Sequence, residues 1–397
     1  MNKISLFFIS ILFMLMIFGC GKNKPLPGSY ERIIGNVEGA IVDTVLTLET
    51  GAEKSYSKFV NTSSSNELLL GSYEQYNSGI YLQFAAPGDS LHIKSADLVM
   101  SIKGKTAPGD SSFWDSFPQA TVNVFLADTL WDETNPPIKD WNLQLSSATI
   151  FSDSTNKISI PLDTTLLNQW NDDESDYNSY GFWLESEDAE FIQIYHSLNS
   201  YDETIIPKID IYYSYVDTGG VTIDTNKVIY VSEDAFVLLN TEQDLNLDPD
   251  LIYVGKGLAF YNNFYFDLSL FDSTIHINRA TLELTINKEN SIRDLSGLSD
   301  AYLFRQAVEW IDGAEIDPIE GLGASYPTTV TDSTITFSIA PSIQSITTNT
   351  YVNYGFYFKL TSDDQTISRI AFYSSKSDPE LQPKIKIYYS TPAKQEF

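Results

Sequence analysis

The chain has 397 residues, 24 Lys plus Arg against 53 Asp plus Glu, a single Cys, 43% apolar residues and 13% aromatics. That is too apolar and too aromatic for a disordered chain, and the length allows two domains, each with its own core. A formal charge of −29 argues against nucleic acid as a partner, and one Cys excludes both a disulfide framework and a thiolate-ligated metal cluster.

At the N-terminus, Lys3 precedes an apolar run from Ile4 to Phe18 broken only by Ser5 and Ser10. The run is shorter than the ~20 residues that span a bilayer and fits the core of a signal peptide. It ends in Ile17-Phe18-Gly19-Cys20, which resembles a bacterial lipobox. The resemblance implies a signal peptide over 1–19, cleavage before Cys20, diacylglycerol on its thiol and an acyl chain such as palmitate on its amine. Several acyl chains on one residue give stable anchoring, so the membrane is the first expected partner. Residues 20–32 then form a polar tether. The expected location is the cell envelope, most naturally the outer membrane, on its surface or its periplasmic face.

Beyond residue 30 the chain matches itself. Leu69-Leu70-Gly71 corresponds to Tyr253-Val254-Gly255, and Tyr81-Leu82 to Tyr265-Phe266. Ile93 to Leu98 recurs as Ile277 to Leu282, and Trp131 as Trp310. Gly181-Phe182-Trp183-Leu184 corresponds to Gly355-Phe356-Tyr357-Phe358, and Pro207 to Ser214 repeats as Pro383 to Ser390 with one difference. The offset is 184 residues early and 176 late, far longer than a solenoid period, so this is a duplicated domain.

Within each copy the dominant pattern is period-two alternation in β-branched and aromatic residues, as in Ala280-Thr281-Leu282-Glu283-Leu284-Thr285-Ile286. Short helical turns are expected only at 163–170 and 341–349. Many short strands between Asn, Asp, Ser and Gly turns predict an all-β chain of two tandem, jelly-roll-like Greek-key β-sandwiches. The copies are bounded as 33–216 and 227–397. The stretch 217–226, containing Gly219-Gly220, reads as a flexible linker.

These same residues resemble the bacterial DNRLRE domain family of cell-surface and secreted β-sandwiches. The opening element is Leu68-Leu69-Leu70-Gly71 and Ile252-Tyr253-Val254-Gly255, followed by aromatic-rich strands at Ile80 to Phe84 and Phe264 to Leu268. Next come Ser95 to Leu98 with Arg279 to Leu282, the Trp segment Leu130 to Thr134 with its decayed counterpart Glu309 to Asp312, and the closing Tyr373 to Tyr389. The resemblance covers about residues 40–214 and 228–390. It implies a surface module, some of whose relatives bind carbohydrate, and it implies no catalytic residues.

The inventory of reactive side chains agrees. His92 and His276 occupy equivalent positions in different copies, which leaves His196 alone, and the chain has no nucleophile elbow, Walker loop or zinc-protease motif. No enzymatic activity and no obligatory cofactor are therefore expected. Two acidic stretches contain the oxygens a structural calcium ion would draw on: Asp172, Asp173, Glu174 and Asp176, and then Asp244, Asp248 and Asp250. Without calcium both are solvated turns. Sugar rings stack on exposed aromatics, and five of the six Trp lie in the first copy. Trp114, Trp141 and Trp170 are the candidates for a glycan or partner surface, since Trp131 has an equivalent in Trp310 and reads as packing. The expected function is a non-catalytic binding module for a polysaccharide or another envelope protein. The alternatives are a structural spacer or assembly lipoprotein and, behind it, a carboxylate-based polysaccharide hydrolase or lyase.

Overall fold

The computed structural model describes residues 41–392 apart from 74, 89–90, 107–119, 128–130, 134–143, 151–155, 171–180, 187–190, 240–244, 293–294, 312–324 and 362–366. The expected signal peptide over 1–19, Cys20 and the expected tether lie outside the described residues. The first half contains β1 (Ile41–Thr47), β2 (Glu53–Phe59), β3 (Glu67–Tyr73), β4 (Tyr76–Phe84), β5 (His92–Thr106), β6 (Ala120–Leu126), β7 (Gln144–Ile150), β8 (Lys157–Pro161), helix α1 (Thr164–Trp170), β9 (Phe182–Ser186), β10 (Ile192–His196) and β11 (Lys208–Val216). The second half contains β12 (Thr222–Leu238), β13 (Leu251–Lys256), β14 (Leu258–Phe264), β15 (His276–Ile292), β16 (Ala301–Arg305), β17 (Pro327–Val330), β18 (Thr334–Ser338), helix α2 (Ala340–Thr347), β19 (Phe356–Leu360), β20 (Ser368–Tyr373) and β21 (Lys384–Ser390). Among the described residues the chain is all-β, its strands pair antiparallel, and the two short α-helices fall where the sequence predicts them, with one 3-10 turn besides at Leu295–Asp300.

The strand register is alike at single residues of the two sequence copies. Ala96 lies opposite Ile211 and Ala280 opposite Ile387, both alanines being buried, while His92 and His276 open their strands opposite Ser214 and Ser390. In both copies the register shifts by one residue just after the histidine, a bulge at Lys94 and at Asn278. The two helices are clamped to the starts of equivalent strands, β5 and β15. Asn168 Oδ1 accepts the Ile93 N–H at 2.8 Å, and Gln344 Oε1 accepts the Ile277 N–H at 2.7 Å. Gly181 and Gly355 both hold positive φ, and a Cβ there would lie 2.2 Å from the Leu82 carbonyl and 2.6 Å from that of Phe264. Leu82 therefore corresponds to Phe264, two residues from the match read in the sequence. A slip of two keeps every side chain on its face, so alternation alone cannot detect it.

The pairing departs from the expected division at 217–226. Residues 217–221 form a tight turn in which Asp217 Oδ1 accepts the N–H groups of Gly219 and Val221, each at 2.8 Å. From Thr222 to Tyr230 β12 pairs with β11, and from Val231 onward it pairs with β4. The opening strand of the second copy thus closes the first. Reciprocally, β1 pairs with β21 over seven positions and β2 with β14 over seven, so the opening strands of the first copy close the second. The Gly pair serves turn chemistry and not flexibility, which corrects the linker reading.

Apolar side chains gather into two large clusters, one around Leu68, Leu98, Ile209 and Phe236, the other around Leu282, Phe337, Phe358 and Ile387. Tyr253, Leu258, Phe260 and Ile292 of the second half join the first cluster, so the junction is apolar. Beside it, the buried Arg369 guanidinium lies 5.8 Å from the Tyr76 ring and 5.7 Å from that of Tyr253, joining both halves by cation–π contact. Burial pushes the Tyr76 hydroxyl up to about 12.

Because β11 and β12 are held by a nine-position ladder, cutting the chain between Gly219 and Gly220 is expected to leave the two fragments associated. A protease site inserted there should give two bands on a denaturing gel and one peak in native size exclusion. Two separately eluting folded pieces would contradict the pairing.

Candidate functional site

Of the residues the sequence singled out, Cys20, Trp114, Trp141, Asp172, Asp173, Glu174, Asp176 and Asp244 lie outside the described residues. Trp170 ends α1 in the first core cluster, 9% exposed and edge-on to Phe182 at 5.8 Å. Its ring is not open to stack on a ligand, which corrects its place in a surface platform. Asp248 and Asp250 shape the turn before β13. Asp248 Oδ1 accepts the Asp250 N–H at 2.9 Å, and Asp250 Oδ1 pairs with Lys376 Nζ at 2.6 Å. Among the described residues no three His, Cys, Asp or Glu converge as metal ligands. His196 is half-buried with Nδ1 3.3 Å from Ser200 Oγ, and burial, with Lys103 nearby, holds it below the usual histidine range.

Trp131 and Trp310 belong to two small aromatic clusters at equivalent places outside the main cores. In the first half Tyr81 lies 4.5 Å from Trp183 and 5.0 Å from Trp131. Trp183 crosses directly over Gly79, where a Cβ would come within 2.0 Å of its ring. In the second half the same crossing is made by Tyr357 and Tyr261 at 6.0 Å, with Tyr56 of β2 stacked on Tyr261 at 4.8 Å. A bulky-on-glycine pair has become a pair of medium rings, so the space is conserved while the side chains differ. Trp131, Trp183 and Trp310 are all buried, and they pack rather than offer a surface.

Among the described residues, an open surface with binding chemistry lies in the second half. The connection from β14 to β15 and the connection from α2 to β19 form the walls of a cleft of about 610 Å³. Tyr265 and Tyr351 line it, 43% and 37% exposed, over a floor that includes Leu268, Phe271 and Ile346. The walls are built by local turns. Asp267 Oδ1 accepts the Ser269 N–H at 2.9 Å, Asp272 Oδ1 accepts the Thr274 N–H at 2.8 Å, and Asn353 Nδ2 donates to the Phe266 carbonyl at 2.8 Å. These turn hydrogen bonds hold both carboxyls below the usual range. Behind Tyr351 the buried Arg305 guanidinium stands 3.7 Å from the ring centre and fixes it in place. Sequence reasoning that weighed tryptophans passed over this site. The available signal was the run of Asp-x-Ser and Asp-x-Thr turns beside Tyr265, with Asn349 and Asn353 flanking Tyr351. A second groove of about 800 Å³, over Leu91 to Lys94 and Thr164 to Gln169, has His92 as its one ring.

One buried carboxyl stands apart. Asp234, on β12, is 1% exposed and accepts the Leu198 N–H at 2.5 Å. Burial pushes it up to about 7, that hydrogen bond works in the opposite direction, and Glu133 adds repulsion. Comparison with family models, curated proteins and solved structures finds no match to this chain.

Because Asp234 binds its proton more tightly when folded, its contribution favours the fold at low pH and is lost as pH rises from 3.8 toward 7. Asp234→Asn keeps an oxygen for the Leu198 N–H. It is expected to match the parent chain at pH 4 and to exceed it at pH 8, by at most on the order of 4 kcal/mol. Urea unfolding at the two pH values measures this, and an equal or lower stability of the variant at pH 8 contradicts it.

Proposed function

We propose that this chain is a lipid-anchored envelope protein, built of two DNRLRE-type jelly-roll-like β-sandwiches, that binds a glycan without turning it over. The membrane part rests on the lipobox-like Ile17-Phe18-Gly19-Cys20. The observation that carries the binding part is the cleft of Tyr265 and Tyr351, in which two half-exposed rings stand beside amide, hydroxyl and carboxylate groups. Sugars present apolar C–H faces and hydroxyl edges together, and a ring fixed from behind by Arg305 loses little freedom on stacking. Glycoside cleavage needs one carboxyl that keeps its proton. Asp267 and Asp272 are both held toward the ionised form by their turns, which favours binding over hydrolysis in this cleft. The glycan is a neutral one, because a charge of −29 repels polyanions. The exchanged strands and apolar junction favour, as a second reading, a stiff spacer that holds a partner away from the membrane.

Titration calorimetry of the full chain against neutral plant, algal and wall polysaccharides tests this. Tyr351→Ala or Tyr265→Ala is expected to weaken binding several-fold, about 1 kcal/mol for each lost platform, with the fold intact. Loss of binding in Trp114→Ala or Trp141→Ala alone would move the site to the first half. No binding to any polysaccharide would leave the spacer, and new reducing ends would require an enzyme.

A further inference from the structure

We propose that the glycan held by the cleft of Tyr265 and Tyr351 carries acetamido groups, a step that rests on the glycan-binding reading of that cleft. A sugar bearing only hydroxyls has apolar surface on its ring faces alone, and the two tyrosine rings meet that need. The cleft offers more than rings. Its floor includes the apolar Leu268, Phe271 and Ile346, and Val352, which also lines it, is 61% exposed. A ligand that fills this space gains by presenting an apolar group that projects from the sugar ring. The methyl of an acetamido substituent is such a group, and it is joined to an amide with one donor and one acceptor. The cleft holds a complement for each. Asp267 and Asp272 lie on the wall that follows β14, where their turns hold them ionised and no cation is among the groups that do so. An ionised carboxylate only accepts hydrogen bonds, so an amide N–H meets it in a charge-assisted bond. On the other wall stands Asn349, at a φ of 57°. Its backbone N–H donates to the Ile346 carbonyl at 2.9 Å, while its side-chain amide bonds to no described residue. Asn349 Nδ2 is thereby left to donate to the acetyl carbonyl. The acetamido group is uncharged, in keeping with a chain charge of −29 that repels polyanions.

Saturation-transfer NMR with the full chain tests this, using the methyl glycosides of N-acetylglucosamine and N-acetylgalactosamine beside those of glucose, galactose, glucosamine and galactosamine. The acetyl methyl protons are expected to receive the strongest saturation. In at least one of the two series the acetamido sugar should bind about tenfold more tightly than its hydroxyl and ammonium analogues. Asn349→Gly suits the positive φ, and Asp267→Asn and Asp272→Asn each keep an oxygen for the turn N–H groups. Asn349→Gly and one of the two Asp variants should reduce the acetamido preference several-fold, whereas Tyr351→Ala weakens acetamido and hydroxyl sugars alike. Analogues that bind as tightly as the acetamido sugars, or a preference that none of the three variants moves, overturn the proposal and leave the glycan reading standing. Silence of every glycoside overturns it too, and calorimetry then separates the cases: a neutral polysaccharide that binds keeps the glycan reading, and none that binds removes it.

Discussion

Everything in this structure depends on backbone pairing between strands that lie far apart in the chain. A β-strand edge presents unpaired N–H and C=O groups that must find partners. Here β4 and β11 find theirs in β12, while β14 and β21 find theirs in β2 and β1. Neither sequence copy is closed by its own opening strand. The two apolar cores are consequently threaded together by reciprocal exchange as well as by the apolar junction around Tyr253, Leu258 and Phe260.

The exchange also sets how the copies have diverged. In the first half the closing strand places buried side chains between Ile229 and Leu238, among them Asp234, whose carboxyl burial has pushed well above its usual range. In the second half the closing strands lie shallow, and β2 contributes Tyr56 to the aromatic cluster around Tyr261. The cleft of Tyr265 and Tyr351 is walled by the loops directly after β14 and before β19. β2 runs along β14, and the Tyr265 N–H donates to the Ala52 carbonyl at 2.9 Å. The proposed binding surface is thus supported by a segment from the other end of the chain. That places the proposed lipid anchor close in sequence to the half that holds the cleft.

Much of this was legible in the sequence, for identifiable reasons. Alternation reports which face a residue takes, so the inward Ala96 and Ala280 and the equivalence of His92 with His276 follow directly from it. Alternation does not report which strand lies alongside, because the same face pattern suits any neighbour. The exchange of opening strands was therefore invisible, and so was the two-residue slip that equates Leu82 with Phe264. Gly219-Gly220 looked like a joint because glycine suits both linkers and turns; Asp217, whose carboxylate caps the turn, was the residue that distinguished them. Trp170 looked exposed beside an acidic run, yet it ends a helix clamped by Asn168 to β5, and the helix face turns its ring inward. Tyr265 and Tyr351 lie 86 positions apart and meet only through the packing of two loops.

The reciprocal exchange is tested most directly by amide hydrogen exchange, read by mass spectrometry, on a chain that begins at residue 60. Without β1 and β2, protection is expected to fall in β14 and β21 of the second half, while β4 and β11, still covered by β12, keep theirs. Loss of protection in β4 and β11 with β14 and β21 unchanged would mean that each copy is closed by its own opening strand, and would contradict the account.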